Sequence, residues 1–277
     1  MLKITTFTDP MMGLSYESEP FFRQLETHFS QQICFVYAMG GLVENVTDWL
    51  LPNETLPEYN ARLARIYEAE QCISGLPISM SKLALFTAER PSSLPLNLAY
   101  KAAQLADIRK ADIFLYRLRY ATIVEVRPTN DLTVILDVVR AVGIDETAFL
   151  QHFQNGSAQI ALNQDLALKK QLGIRGLPAY LFEFEDKKIV MNGVLNFTRF
   201  TQIIQQISEG KLQPQTPELT VETLAKLLAE HPLISLIELQ YAFNVDEAKV
   251  RSILSVFLAK GEVEFMENQA FICFKQQ

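Results

Sequence analysis

Residues 1–42 read MLKITTFTDPMMGLSYESEPFFRQLETHFSQQICFVYAMGGL, and this stretch decides the fold class. Lys3 to Thr8 is short and rich in β-branched residues, the composition of a strand, and Asp9-Pro10 breaks it. From Ser15 to Phe29 a helical period sets Phe21, Phe22, Leu25 and Phe29 on one side. Pro20 falls inside that period and should kink the helix or end its first turn. Ile33 to Met39 is a continuous apolar run closed by Gly40-Gly41, which predicts a strand buried on both faces. Strand, helix, strand is the opening of an α/β domain.

Outward from this unit the pattern turns helical. Helices are expected over Glu58–Ser74, stopped by Gly75-Leu76-Pro77, and near 95–106, 111–120, 132–142, 146–155 and 159–172. Gly143 is placed to follow one helix and Asp145 to cap the next. After Gly173 the sheet returns: Ala179–Phe184 and Ile189–Asn192 read as antiparallel strands joined at Glu185-Asp186-Lys187, and 196–207 as a helix. Pro214 and Pro217 among Gln and Thr mark a linker. The tail reads as helices over Val221–Glu230, Leu233–Phe243 and Asp246–Lys260, then a hairpin of Glu262–Phe265 and Ala270–Phe274 turning at Glu267-Asn268-Gln269. Three helices and a small wing predict a winged-helix module with Ile253, Leu254, Phe257 and Leu258 in its core.

The chain has 277 residues, 49% of them hydrophobic and 21% charged, with a net charge of −7. That balance fits a globular protein and argues against a phosphate-neutralising surface. Residues 216–277 carry nine acidic and five basic side chains, so the winged-helix-like tail is expected to contact protein and not nucleic acid. The N-terminus has no secretory pattern and no run approaches the ~20 apolar residues of a membrane span, which predicts a cytoplasmic protein. Cys34, Cys72 and Cys273 are far apart and odd in number, without metal or redox spacing. They are expected to be buried thiols packed as small apolar groups. No metal site and no cofactor is expected.

Phe7-Thr8-Asp9-Pro10, Tyr16, Glu19-Pro20, Tyr37 and Met39-Gly40-Gly41-Leu42 together resemble DsbA-like thioredoxin-fold proteins of the FrnE type. Gly75-Leu76-Pro77 and the helix around 99–106 fit the helical insert of that family. Gly173-Ile174-Arg175-Gly176-Leu177-Pro178 resembles its segment before a cis-proline. The resemblance covers roughly residues 1–208. It implies a thioredoxin-like domain from 1–57 and 173–212 and a helical insertion over 58–172; the winged-helix-like domain read over 216–277 lies outside the family's span. The family includes dithiol-disulfide isomerases and an adapter that delivers a transcription factor to the ClpXP protease.

The family's Cys-x-x-Cys falls on Met12-Gly13-Leu14-Ser15. Disulfide exchange needs a thiolate to attack and a second thiol to resolve. A thioether at Met12 cannot ionise. Ser15, with no histidine near it in sequence, is a weak nucleophile and is expected to cap the helix. The resemblance then implies no redox activity and a surviving peptide- or ligand-binding groove lined by Met11, Met12, Gly13, Leu14, Ser15, Leu177 and Pro178. The expected role is a protein-binding adapter. Two enzymatic alternatives stay open: a dithiol-disulfide oxidoreductase or isomerase, as the family label implies, and a glutathione-dependent transferase or isomerase using Ser15.

Overall fold

The computed structural model describes residues 1–80 and 82–275. Strand β1 (Leu2–Thr8) enters a sheet of order β2-β1-β3-β4, flanked by β2 (Ile33–Met39), β3 (Ala179–Phe184) and β4 (Lys187–Asn192). β1 runs parallel to β2 and antiparallel to β3, and β3 antiparallel to β4. The βαβ opening therefore forms as its apolar runs predict. β2 departs from expectation in one respect. As an edge strand with a single ladder it is only half covered at Ile33–Phe35, Val36 is exposed, and burial sets in from Tyr37.

The expected helix between β1 and β2 is two helices, α1 (Gly13–Tyr16) and α2 (Glu19–His28). The break precedes Pro20, which sits in the first turn of α2 where its missing N–H costs nothing. Ser18 Oγ donates to the Leu14 carbonyl at 2.7 Å across the break. The aromatic face of α2 packs on β3 and α9 (Phe197–Ile207): Phe22 meets Tyr180 and Phe200 edge-on.

Among the described residues between β2 and β3, a 3-10 turn (Val46–Trp49) is followed by six α-helices: α3 (Leu56–Glu70), α4 (Leu94–Ala106), α5 (Ala111–Ile123), α6 (Leu132–Ala141), α7 (Glu146–Gln154) and α8 (Ser157–Gln171). Thr55 and Glu58 form a capping box at the start of α3, and Asp145 accepts from the Ala148 N–H at the start of α7. α3 ends before Cys72, which lies exposed in the following turn. Cys34 and Cys273 are partly exposed, and all three cysteines are free. None is the buried, packed thiol the sequence predicts, because none sits on an inward-facing position.

Beyond 212, α10 (Val221–Glu230), β5 (Leu233–Ser235), α11 (Leu236–Phe243), α12 (Glu247–Ala259), β6 (Val263–Phe265) and β7 (Phe271–Phe274) follow, with strand order β5-β7-β6. The expected helix from Leu233 starts three residues late. Ser235 takes the N-cap and closes a capping box with Glu238, which frees Leu233–Ser235 to pair with β7. Leu254 and Phe257 are core as predicted, but Ile253 is half-buried and Leu258 exposed, one helical step beyond the inward face. This unit is not loosely tethered: Leu233 and Phe271 belong to the same core as α4, α5 and α6.

Candidate functional site

The end of β1 delivers the chain to the corner where α1 begins. Asp9 is fully buried and its carboxylate gathers four donors: the Met11 and Leu42 N–H groups at 3.1 and 2.8 Å, Ser93 Oγ at 2.8 Å and Asn97 Nδ2 at 2.7 Å. Burial pushes its carboxyl up and these bonds pull it back. Asp9 thus pins the β1–α1 turn to the loop after β2 and to the start of α4.

Met12 is the N-cap of α1 and makes no side-chain cap; the expected cap, Ser15, lies inside the helix instead. Its hydroxyl is buried and accepts from Thr8 Oγ1 at 2.8 Å, and Thr8 in turn accepts from Arg119 Nη2 at 2.6 Å. His28, the nearest histidine in sequence, packs on the Phe197 ring instead. Tyr16 donates to the Pro77 carbonyl at 2.8 Å, and Tyr67 of α3 to that of Met11. A Cβ on Gly13 would collide with the Glu70 carboxylate and the Tyr67 ring, so only glycine admits α3 this close.

Met11 and Met12 are buried, Leu14 half-buried. Met11, Met12 and Gly13 line a cavity of about 190 Å³, closed by α3 and by the loop carrying Trp49. Leu177-Pro178 is a cis peptide. Pro178 is buried, its carbonyl accepts from the Gly193 N–H at 2.8 Å, and the Leu177 side chain rests on Gly40. The structure thus brings Met11–Gly13 together on one cavity, turns Ser15 inward to Thr8, and sets Leu177 against the end of β2.

Two carboxyls beside α1 escaped sequence reasoning. Glu17 accepts from Ser74 N–H and Oγ at 2.9 and 2.6 Å, and Glu70 borders the cavity. Burial raises both to about 7, and for Glu70 the charge of Glu17 adds to it.

A second polar cluster joins α2, α5 and α11. Arg119 pairs with Glu19. Arg23 bonds Glu19 at 3.0 Å, contacts Glu26, and lies 3.5 Å from Glu238. Tyr116 donates to Glu238, as does the Ser235 N–H at 2.9 Å. His231 contacts Glu26 at 3.0 Å. Glu19, Arg23, Arg119 and Glu238 are each at most 3% exposed. Burial raises the Glu238 carboxyl, whereas at Glu26 Arg23 and His231 outweigh burial and lower it. The one local sign of this cluster was Arg119 inside the apolar run of α5.

Among the described residues no group of three or more His, Cys, Asp or Glu side chains is placed to hold a metal ion, and no helix is long and apolar enough to cross a membrane. A family model described as thioredoxin matches residues 5–202. The ClpXP adapter protein SpxH of Halalkalibacterium halodurans is 22% identical over 272 residues, covering 96% of this chain and 85% of that protein. A structure assigned as a protein disulfide isomerase from Nitrosomonas europaea superposes with a TM-score of 0.64 at 17% identity, over 76% of this chain and 98% of that one. The cytosolic disulfide reductase DsbM from Pseudomonas aeruginosa gives 0.55 at 18% identity, over 82% and 98%.

Proposed function

The chain belongs to the DsbA-like thioredoxin family, and from that premise we propose that it is an adapter that works by contact, presenting a protein substrate to a ClpXP-type protease in the cytoplasm. One observation carries this reading. The family model stops at residue 202, while the likeness to SpxH spans 96% of the chain and so takes in the tail. A thioredoxin domain built for redox chemistry does not need that tail; an adapter, which must hold two proteins, has use for a second contact surface.

The chemistry of the corner supports the same reading. The three cysteines are 34, 72 and 273, so no pair has C-x-x-C spacing. Met12 holds the helix-start place and has no thiol to ionise. The Ser15 hydroxyl is tied to Thr8 and has no base beside it, which argues against both the oxidoreductase and the glutathione-dependent alternatives. We read residues 1–57 with 173–212 as the thioredoxin-like domain, 58–172 as its helical insertion and 216–277 as a winged-helix-like module that meets protein. Of the residues expected to contact peptide, we place that contact at the cavity lined by Met11, Met12 and Gly13, beside half-buried Leu14; Ser15 and Pro178 are buried and Leu177 rests on Gly40, outside that lining.

The test is a ClpXP trap whose ClpP cannot cleave, incubated with lysate with and without the purified chain. Specific proteins retained only in its presence are the expected result. An unchanged retained set, together with insulin-disulfide reduction by the chain, would overturn the proposal.

A further inference from the structure

A cavity of about 650 Å³, sharing no lining residue with the one at the α1 corner, lies between the insert and the tail. That volume is within the ~300–1,000 Å³ of small-molecule sites, which favour junctions between structural units. Its apolar lining comes from both sides: Ile113 and Val142 from α5 and the end of α6, Leu233, Met266 and Phe274 from the tail. Its charged lining is of one sign. Arg109, Lys110 and Arg117 border it, and no carboxylate does among the described residues, although the chain carries a net charge of −7.

The three cations differ in what they have left to offer. Arg117 is forked onto Glu125 at 3.0 and 2.8 Å. Lys110 gives one of its three protons to the Gly143 carbonyl. Among the described residues Arg109 meets Asp107 alone, at 3.3 Å, and its side chain is 86% exposed. Glu264, which faces Cys273 across the β6–β7 ladder, is held by Lys275 at 2.7 Å. The cleft is therefore apolar within, with two cations at its rim that still have donors free.

We infer that this cleft binds a small amphipathic organic anion, a carboxylate or sulfonate on an acyl or aromatic body, with the body on the apolar lining and the head at Arg109 and Lys110. The site is independent of the adapter reading and of the α1 corner. Cys273 also lines it, so a bound ligand shields that thiol from solvent.

The test uses the full chain and the fluorescent anion anilinonaphthalene sulfonate as probe, with decanoate and decanol as competitors. Decanoate is expected to displace the probe and decanol not. Arg109→Glu and Lys110→Glu are each expected to weaken probe binding at least about tenfold, the loss of one charge-assisted hydrogen bond. In a Cys34→Ser, Cys72→Ser background, decanoate is expected to slow alkylation of Cys273 several-fold. Arg109 is exposed, so its variant reports binding even where Lys110→Glu perturbs the start of α5. Equal displacement by decanol, unchanged probe binding in both reversals, or alkylation of Cys273 indifferent to decanoate would each overturn the assignment.

Discussion

The β1–α1 corner and the junction of α2, α5 and α11 are linked by a hydrogen-bond chain, Arg119 to Thr8 to Ser15, yet they meet buried charge differently: neutral donors hold Asp9 at the corner, whereas arginines hold Glu19 at the junction. At the corner, where the family's chemistry resides, stand two thioethers, a glycine and a hydroxyl already in use. At the junction four charged side chains are almost wholly buried. Buried ion pairs rarely add net stability over apolar packing, but removing one partner leaves an uncompensated charge and is costly. Their place here, bridging the thioredoxin sheet's first helices to the insert and the tail, fits a device that fixes how three parts are presented. Charge has been kept where geometry matters, whereas the place where a redox reaction would need a thiol holds Met12.

The comparison breaks first at Arg23. Arg23→Ala leaves Glu19 to Arg119, Glu26 to His231 and Glu238 to the neutral donors of Tyr116 and Ser235, and urea unfolding should report a loss of about 3–5 kcal/mol. Glu238→Gln should cost far less, because burial already biases that carboxyl toward its neutral form. A loss under about 1 kcal/mol for Arg23→Ala would mean that water reaches the junction. The next largest effect is expected at the corner. Gly13→Ala drives a methyl into Glu70 and Tyr67 and should cost about 1–3 kcal/mol. Adding Glu70→Ala should recover part of that, and strict additivity would contradict the contact.

Ser15→Ala removes one neutral hydrogen bond and should cost about 1 kcal/mol by the same unfolding measurement, while leaving partner delivery intact. Loss of delivery at unchanged stability would give Ser15 a chemical role. The finest distinction is one of pH. Glu70 titrates near 7 in the folded chain, against an ordinary 4.5, because burial and then Glu17 disfavour its charge. The folded state holds the proton more tightly, so stability falls as pH rises from about 4.5 through about 7. Glu70→Gln should therefore gain in Tm over the natural chain between pH 5 and pH 8. A constant difference across that range would place the carboxyl in water.

Local signals carried most of the fold. Strand β2, the turn at Pro20, the cap at Asp145 and the helix of Val221–Glu230 all follow from spacing within a few residues. Ser235-x-x-Glu238 was also a legible capping box, and it marks the start of α11 at Leu236 in place of Leu233. The α2–α5–α11 cluster was not legible, since Glu19 and Arg119 are 100 residues apart and Tyr116 and Glu238 are 122. The site was legible only in part. Met11–Gly13 do meet at a cavity, but α3 and Trp49, which wall it, come from a segment whose docking no local pattern encodes.

The most direct test replaces all three cysteines. A Cys34→Ser, Cys72→Ser, Cys273→Ser chain should drive ClpXP degradation of the trapped substrates at a rate within about twofold of the natural chain, since a contact surface needs no thiolate. Loss of that activity in a variant that still folds would contradict the account.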